Sequence, residues 1–267
     1  MSWTTTGHDK NKRYFEFVAK VGFLSNAYLF SGPEMVGKKK FAHDLVRLLN
    51  NREPENNPDL NLFSHSVEDA RNLKSFLSTK PYYGPYKIAI IDDAEQLTIE
   101  ASNALLKILE EPSLSSVIIL ISSKSKTLLP TITSRCQEIR FELLNESDLA
   151  KFLPTTLKAE DKNLVRQIAH GRPGWIVKNL EKIGEVKKDV QEFDRLLGQG
   201  IFEKMQYAAR IYDKEKYEEL INNLIYWYYP QTGEQPAILK NLLYVSKIIS
   251  QPQYNHRLAL ENFLLSL

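Results

Sequence analysis

Cysteine is nearly absent from this chain: Cys136 stands alone among 267 residues. A single thiol excludes an internal disulfide and any zinc cage built from cysteines, and it predicts a reducing compartment, the cytoplasm. The five histidines, His8, His43, His65, His170 and His256, lack ligand spacing, so no metal is expected. Long apolar runs are missing too. No stretch approaches the roughly 20 residues of a bilayer-crossing helix. The N-terminal lead has no apolar signal core, so no membrane partner is expected. Charge of one sign is scarce: 35 Lys and Arg against 33 Asp and Glu leave a net charge of +2. That balance neither demands nor excludes nucleic acid, because a local basic face can hide within it. There is no internal repeat, no low-complexity segment, and no Ser–His–Asp or Cys–His arrangement.

What is present is ordinary in bulk, with 43% hydrophobic and 25% charged residues, and long enough for two or more domains. The informative part is the order of elements. Ile88 to Ile91 is a short β-branched run of the kind buried on both faces of a parallel sheet, and it ends on Asp92–Asp93. Thr98 caps a following helix with Glu100 in its first turn; Leu105, Ile108 and Leu109 make its apolar stripe, and Pro112 stops it. Val117 to Ile121 is a second buried strand, closed by Ser122–Ser123. Leu128-Leu129-Pro130 starts a short element, and Ser134-Arg135-Cys136 leads into a third strand-like run ending at Phe141. Upstream, a helix is expected within residues 1–24, a strand over Ala27 to Phe30, a helix carrying Phe41, Leu45, Leu48 and Leu49, a short strand over Leu60 to Phe63, and a helix over Val67 to Leu77. After Phe141 the pattern is helical only. Alternation followed by helices predicts an α/β core with a parallel sheet over residues 1–143, a small helical domain over 144–182 and an all-helical domain over 183–267.

Between the first strand and its helix lies Ser31-Gly32-Pro33-Glu34-Met35-Val36-Gly37-Lys38-Lys39-Lys40, the G-x-x-x-x-G-K frame of a phosphate-binding loop at Gly32, Gly37 and Lys38. Such a loop aims backbone N–H groups and a helix N-terminus at phosphates, with a lysine reaching the terminal ones. One position departs from it. A working loop follows the lysine with a Ser or Thr hydroxyl for Mg²⁺; here Lys39 is a cation without a lone pair to offer. Two readings follow: a tolerant, metal-poor nucleotide site, or a relic that keeps the turn and has lost the ligand.

The wording D-x-A-E at Asp92 to Glu95, N-A-L-L-K at Asn103 to Lys107, L-E-E-P at Leu109 to Pro112, and L-L-P-T-I-x-S-R-C-Q at Leu128 to Gln137 resembles the bacterial clamp loaders of the AAA+ superfamily, and among them the δ′ subunits of DNA polymerase III. The resemblance implies a P-loop core, a helical lid with the G-R-P-G signature at Gly171 to Gly174, and a helical collar. It places Asp92 where relatives hold the Mg²⁺ shell, and Asp93 where active ones have a glutamate that positions water. It puts Ser122–Ser123 at a strand-tip sensor and Arg172 near a second sensor. The bland alternatives are helix-capping aspartates, loop serines and, for Arg172, a surface arginine. The zinc module of many relatives has no counterpart, because residues 50–59 contain no cysteine.

On this resemblance the chain is expected to lack intrinsic ATPase activity and to hold no cofactor. It would join other loader subunits in a hetero-pentameric ring that places a sliding clamp on primer–template DNA. Arg135, within the interface motif Ser134-Arg135-Cys136, would act in trans as an arginine finger. Arg135 has no carboxylate partner at local spacing. The alternative is an ATPase that binds and hydrolyses ATP at its own loop. The aromatic run Tyr226 to Tyr229, at helical spacing, is expected in a core or a subunit interface.

Overall fold

A computed structural model describes residues 3–213, 215–229 and 236–267, and the chain divides into two compact units. The first comprises residues up to Asp148 together with Arg172–Gly174. Its elements run α1 (Asp9–Val21), β1 (Ala27–Ser31), α2 (Lys38–Asn50), β2 (Leu60–Phe63), α3 (Val67–Ser78), β3 (Lys87–Ile91), α4 (Ile99–Glu110), β4 (Ser116–Ser122), α5 (Pro130–Thr133) and β5 (Gln137–Arg140). The sheet order is β2-β3-β4-β1-β5, every pair parallel. In register, Leu29 lies beside Leu120, Ile88 beside Val117, and Ser31 beside Arg140.

Strand alternation divides the core into two layers. Tyr28, Phe30, Ile90, Ile119 and Ile121 face Phe15 and Val18 of α1 and Phe41 and Leu45 of α2. Leu29, Ala89, Ile91, Ile118 and Leu120 face Leu73 of α3, Leu105 and Ile108 of α4, and Ile132 of α5. Helices on both faces are why the central strands read as unbroken apolar runs. The Thr98 side chain accepts from the Ala101 N–H, which starts α4 where the sequence predicts. All strands point the same way, so the loops after β1, β3 and β4 gather at one edge of the sheet, where ligands of open α/β folds bind.

The second unit comprises Leu149–Gly171 and Trp175–Leu267 and is helical: α6 (Glu146–Ala150) crosses into it, followed by α7 (Ala159–Ala169), α8 (Pro173–Asn179), α9 (Ile183–Leu196), α10 (Ile201–Asp213), α11 (Tyr217–Tyr228), α12 (Pro236–Ile249) and α13 (His256–Leu265). One apolar core runs through it from Leu149 to Leu264, centred on Phe193, Leu224, Leu242 and Leu260. Tyr228 is buried there with its hydroxyl donating to Asp194, whereas Tyr229 is exposed. The Trp175 indole N–H donates to Asn223 Oδ1 at 2.9 Å. Among the described residues no helix is long and apolar enough to cross a membrane.

Candidate functional site: a glycine-framed loop with an internal cation

The loop after β1 adopts the backbone that its glycines permit. Gly32 has φ +141°, and a Cβ there would come within 2.1 Å of the Phe141 carbonyl oxygen. Gly37 has φ +103° and opens α2. Met35, at φ +60°, takes a left-handed conformation without being glycine, and its carbonyl accepts from the Gly174 N–H at 2.8 Å. That contact brings Arg172–Gly174, the part of the G-R-P-G segment that belongs to the first unit, onto the loop. Arg172 is buried, so reading it as a surface arginine is incorrect.

Lys38 is almost fully buried, and its ammonium donates to the Gly32 and Pro33 carbonyls at 2.6 Å each. Burial lowers its pKa, opposed by the nearby Glu34, Glu95, Asp92 and Asp93 carboxylates. Lys39 turns the other way: its Nζ lies 3.1 Å from Asp92 Oδ2. The Asp92 carbonyl also meets His65 Nε2 at 2.6 Å. Asp93 sits at φ +47°, and its carboxyl is pushed above the usual range by burial first, then by Asp92 and Glu95.

At the tip of β4 the two serines bond to this chain's own acid. The Ser123 N–H and hydroxyl both donate to Glu95 Oε1, at 3.1 and 2.6 Å. Burial pushes the Glu95 carboxyl up, but hydrogen bonds from Ser123 and Ser122 outweigh it and hold it below the ordinary value. Ser123 also borders a cleft of 330 Å³ whose lining includes three ammoniums (Lys38, Lys39, Lys40) and three carboxylates (Glu34, Asp92, Asp93). Charge in the cleft is therefore balanced internally, whereas a site for a triphosphate has a surplus of positive charge.

The structure separates Arg135 from this cleft. Arg135 lies two residues before β5, at the amino end of the parallel sheet, whereas Gly32 follows the carboxyl end of β1, which pairs with β5. Five residues of strand rise put the two about 15 Å apart. Arg135 does have a carboxylate partner, one that local spacing does not reveal: Nη2 donates to Glu110 Oε1 at 2.9 Å, and Nη1 to the Thr131 carbonyl at 3.0 Å. Glu110 belongs to the L-E-E-P stretch, but nothing in a separation of 25 residues marks the pair. Ser134 donates its hydroxyl to the Thr131 carbonyl. Burial pushes the pKa of the half-buried Cys136 thiol up to about 12, which lowers its thiolate fraction and slows its reactions.

Comparison with known proteins places the first unit. Residues 56–145 match the family described as DNA polymerase III, delta subunit. The DNA polymerase III subunit delta′ of Bacillus subtilis is 35% identical over 142 residues, 45% of this chain and 43% of that protein. The delta′ subunit of Pseudomonas aeruginosa is 29% identical over 168 residues, 54% and 51% of the two chains. The gamma/tau subunit of Mycobacterium tuberculosis is 34% identical over 146 residues, 46% of this chain and 25% of that one. The chain thus spans about half, or less, of the length of these relatives. Among solved structures, a DNA polymerase III gamma subunit-related protein of Thermotoga maritima matches with a TM-score of 0.50 at 18% identity, over 94% of this chain and 97% of that one. A RuvB variant from the same organism matches at 0.50 and 14% identity, over 71% and 64%. Those two share the AAA+ fold with this chain. With the family match lying across β2 to β5, and delta′ and gamma/tau relatives both aligning with this chain, its α/β unit is similar to clamp-loader subunits of DNA polymerase III.

Proposed function

We propose that this chain is a δ′-like subunit of a DNA polymerase III clamp loader that does not itself turn over ATP. It works in the cytoplasm, joins other loader subunits in a hetero-pentameric ring, and lends Arg135 to the ATP site of a neighbour, so that a sliding clamp is loaded on primer–template DNA. In this reading residues 144–182 form the lid and residues 183–267 the collar.

The observation that carries it is the Lys39–Asp92 pair at 3.1 Å. Magnesium in such loops is held by a hydroxyl after the P-loop lysine and by a carboxylate from the neighbouring strand. Here the hydroxyl is replaced by an ammonium, and that ammonium neutralises the carboxylate. Asp93 adds to the defect. It is one methylene shorter than the water-positioning glutamate of active relatives, and its ionised form is disfavoured by burial beside Asp92. Misplacement of about 1 Å costs about a hundredfold in a positioned reaction. Gly32, Gly37, Lys38 and Asp92 thus form a degenerate nucleotide site that holds no cofactor, ATP included, and the chain carries no zinc.

Arg135 supports the second half of the proposal. About 15 Å from its own loop, it meets a γ-phosphate only on another chain. A guanidinium is always charged and offers a planar fork of donors, and such fingers are worth about 10³ to 10⁵ in rate in GTPases.

A competing reading, ATP hydrolysis at this chain's own loop, is favoured by the intact glycine frame and decided by two experiments. Calorimetry of the isolated chain should detect no micromolar Mg-ATP site; finding one overturns the degenerate-loop reading. In the reconstituted loader, Arg135→Ala and Arg135→Lys should both lower clamp- and DNA-stimulated ATP hydrolysis while assembly is kept, because lysine retains the charge but loses the fork. Wild-type turnover by both variants refutes the finger.

A further inference from the structure

The Arg135–Glu110 pair has chemistry that the finger alone does not explain. Arg135 follows α5, a four-residue helix seated by the buried Ile132, and its backbone N–H donates to the Ile132 carbonyl at 3.0 Å. The base of the side chain is therefore fixed, but four rotatable bonds separate that base from the guanidinium. Two contacts remove this freedom. One is a backbone acceptor on its own short helix, Thr131 O; the other is the Glu110 carboxylate from the last residue of α4. The C-terminal end of a helix carries partial negative charge, so α4 favours a cation at that point with its dipole as well as with Glu110. Only two of the five guanidinium N–H groups are used, and the Arg135 side chain is still 37% exposed. The guanidinium is thus both held and accessible.

We propose that Glu110 is a positioning residue for Arg135: its carboxylate holds the guanidinium with unused donors free for a phosphate carried by a neighbouring chain. This rests on the finger reading above. Glu110 touches neither nucleotide nor reacting atoms. It acts by restricting the arginine before the phosphate arrives, so its contribution belongs to turnover and not to ATP binding. A charged carboxylate and a carboxamide oxygen both accept from Nη2, but the charge-assisted bond is the stronger, so Glu110→Gln should be milder than Glu110→Ala.

The test uses the assembled loader, with clamp- and DNA-stimulated ATP hydrolysis measured for Glu110→Ala, Glu110→Gln, Arg135→Ala and the double variant Glu110→Ala/Arg135→Ala. Turnover that Arg135→Ala removes defines the share served by the finger. Glu110→Ala should remove most of that share, about a tenfold loss at the affected site, with KM for ATP unchanged; Glu110→Gln should remove less. The double variant should be no slower than Arg135→Ala alone, because Glu110 has nothing left to position. All four should assemble and melt together, since the pair is half-exposed at the surface. Wild-type turnover by Glu110→Ala, or a further loss when it is added to Arg135→Ala, refutes the positioning role and leaves the finger standing. Wild-type turnover by Arg135→Ala refutes the finger, and the positioning role with it.

Discussion

Replacing Asp59 by alanine should destabilise the α/β unit more than any change in the cleft. Asp59 is fully buried, and its carboxylate accepts three backbone N–H groups, from Tyr82 at 2.7 Å, Tyr83 at 2.8 Å and Gly84 at 3.2 Å. Its Oδ1 is also 3.5 Å from the Lys87 ammonium, which is itself only 3% exposed. Lys87 opens β3, the strand that delivers Asp92, so this buried cluster sets where the cleft's carboxylates emerge. Removing one partner of a buried ion pair costs about 3–5 kcal/mol, because the other charge is left uncompensated. Domains are stable by only about 5–15 kcal/mol, so Asp59→Ala should consume a large fraction of the total. Asp92→Ala is the internal control: its pair with Lys39 is 35–55% exposed and worth about 0–1 kcal/mol. Urea denaturation followed by circular dichroism measures both. A loss below about 1 kcal/mol for Asp59→Ala refutes the reasoning. The pH dependence has a definite sign. Burial pushes the Asp59 pKa up, but the three N–H bonds and Lys87 outweigh it and hold the carboxyl below its ordinary value. Stability from such a group is complete above the unfolded pKa, about 3.9, and is lost as pH falls below it. The gap between wild type and Asp59→Asn should therefore narrow on titration from pH 6 to pH 3.

Lys39→Thr should alter stability by less than about 1 kcal/mol and should not by itself produce ATP hydrolysis, since Asp93 stays short; robust turnover by this single variant refutes the weight placed on Asp93. Cys136 should react with a thiol reagent at pH 8 about a thousandfold more slowly in the folded chain than after denaturation, because burial raises its thiol to about 12; equal rates refute its burial. Gly32→Ala should lower the melting temperature far more than Gly22→Ala. Both glycines have positive φ, a strain of about 1–3 kcal/mol, but only the Cβ at position 32 collides with backbone, at 2.1 Å from the Phe141 carbonyl.

Much of the architecture was legible along the chain. Apolar runs ending in Asp92–Asp93 and Ser122–Ser123, the Thr98 cap and the apolar stripe of α4 are local signals, written within one turn or a few strand residues. The frame Gly32, Gly37, Lys38 was likewise readable, as was the misfit of Lys39, because each follows from residue type at fixed spacing. What Lys39 does with its charge was not readable. Its partner Asp92 is 53 positions away and is reached only because β1 and β3 end at the same sheet edge. The same holds for Glu110 beside Arg135, for the Asp44 carboxylate that accepts the N–H and hydroxyl groups of Thr4 and Thr5, and for the burial of Arg172. Periodicity records which face of an element is apolar, and so determined helices, strands and their order. It carries no record of which strand lies beside which, and β1 between β4 and β5 is a choice made by packing two apolar layers. That choice puts Arg135 at one end of the sheet and the Gly32–Lys38 loop at the other, because strands that run parallel carry their starts and their ends to opposite edges.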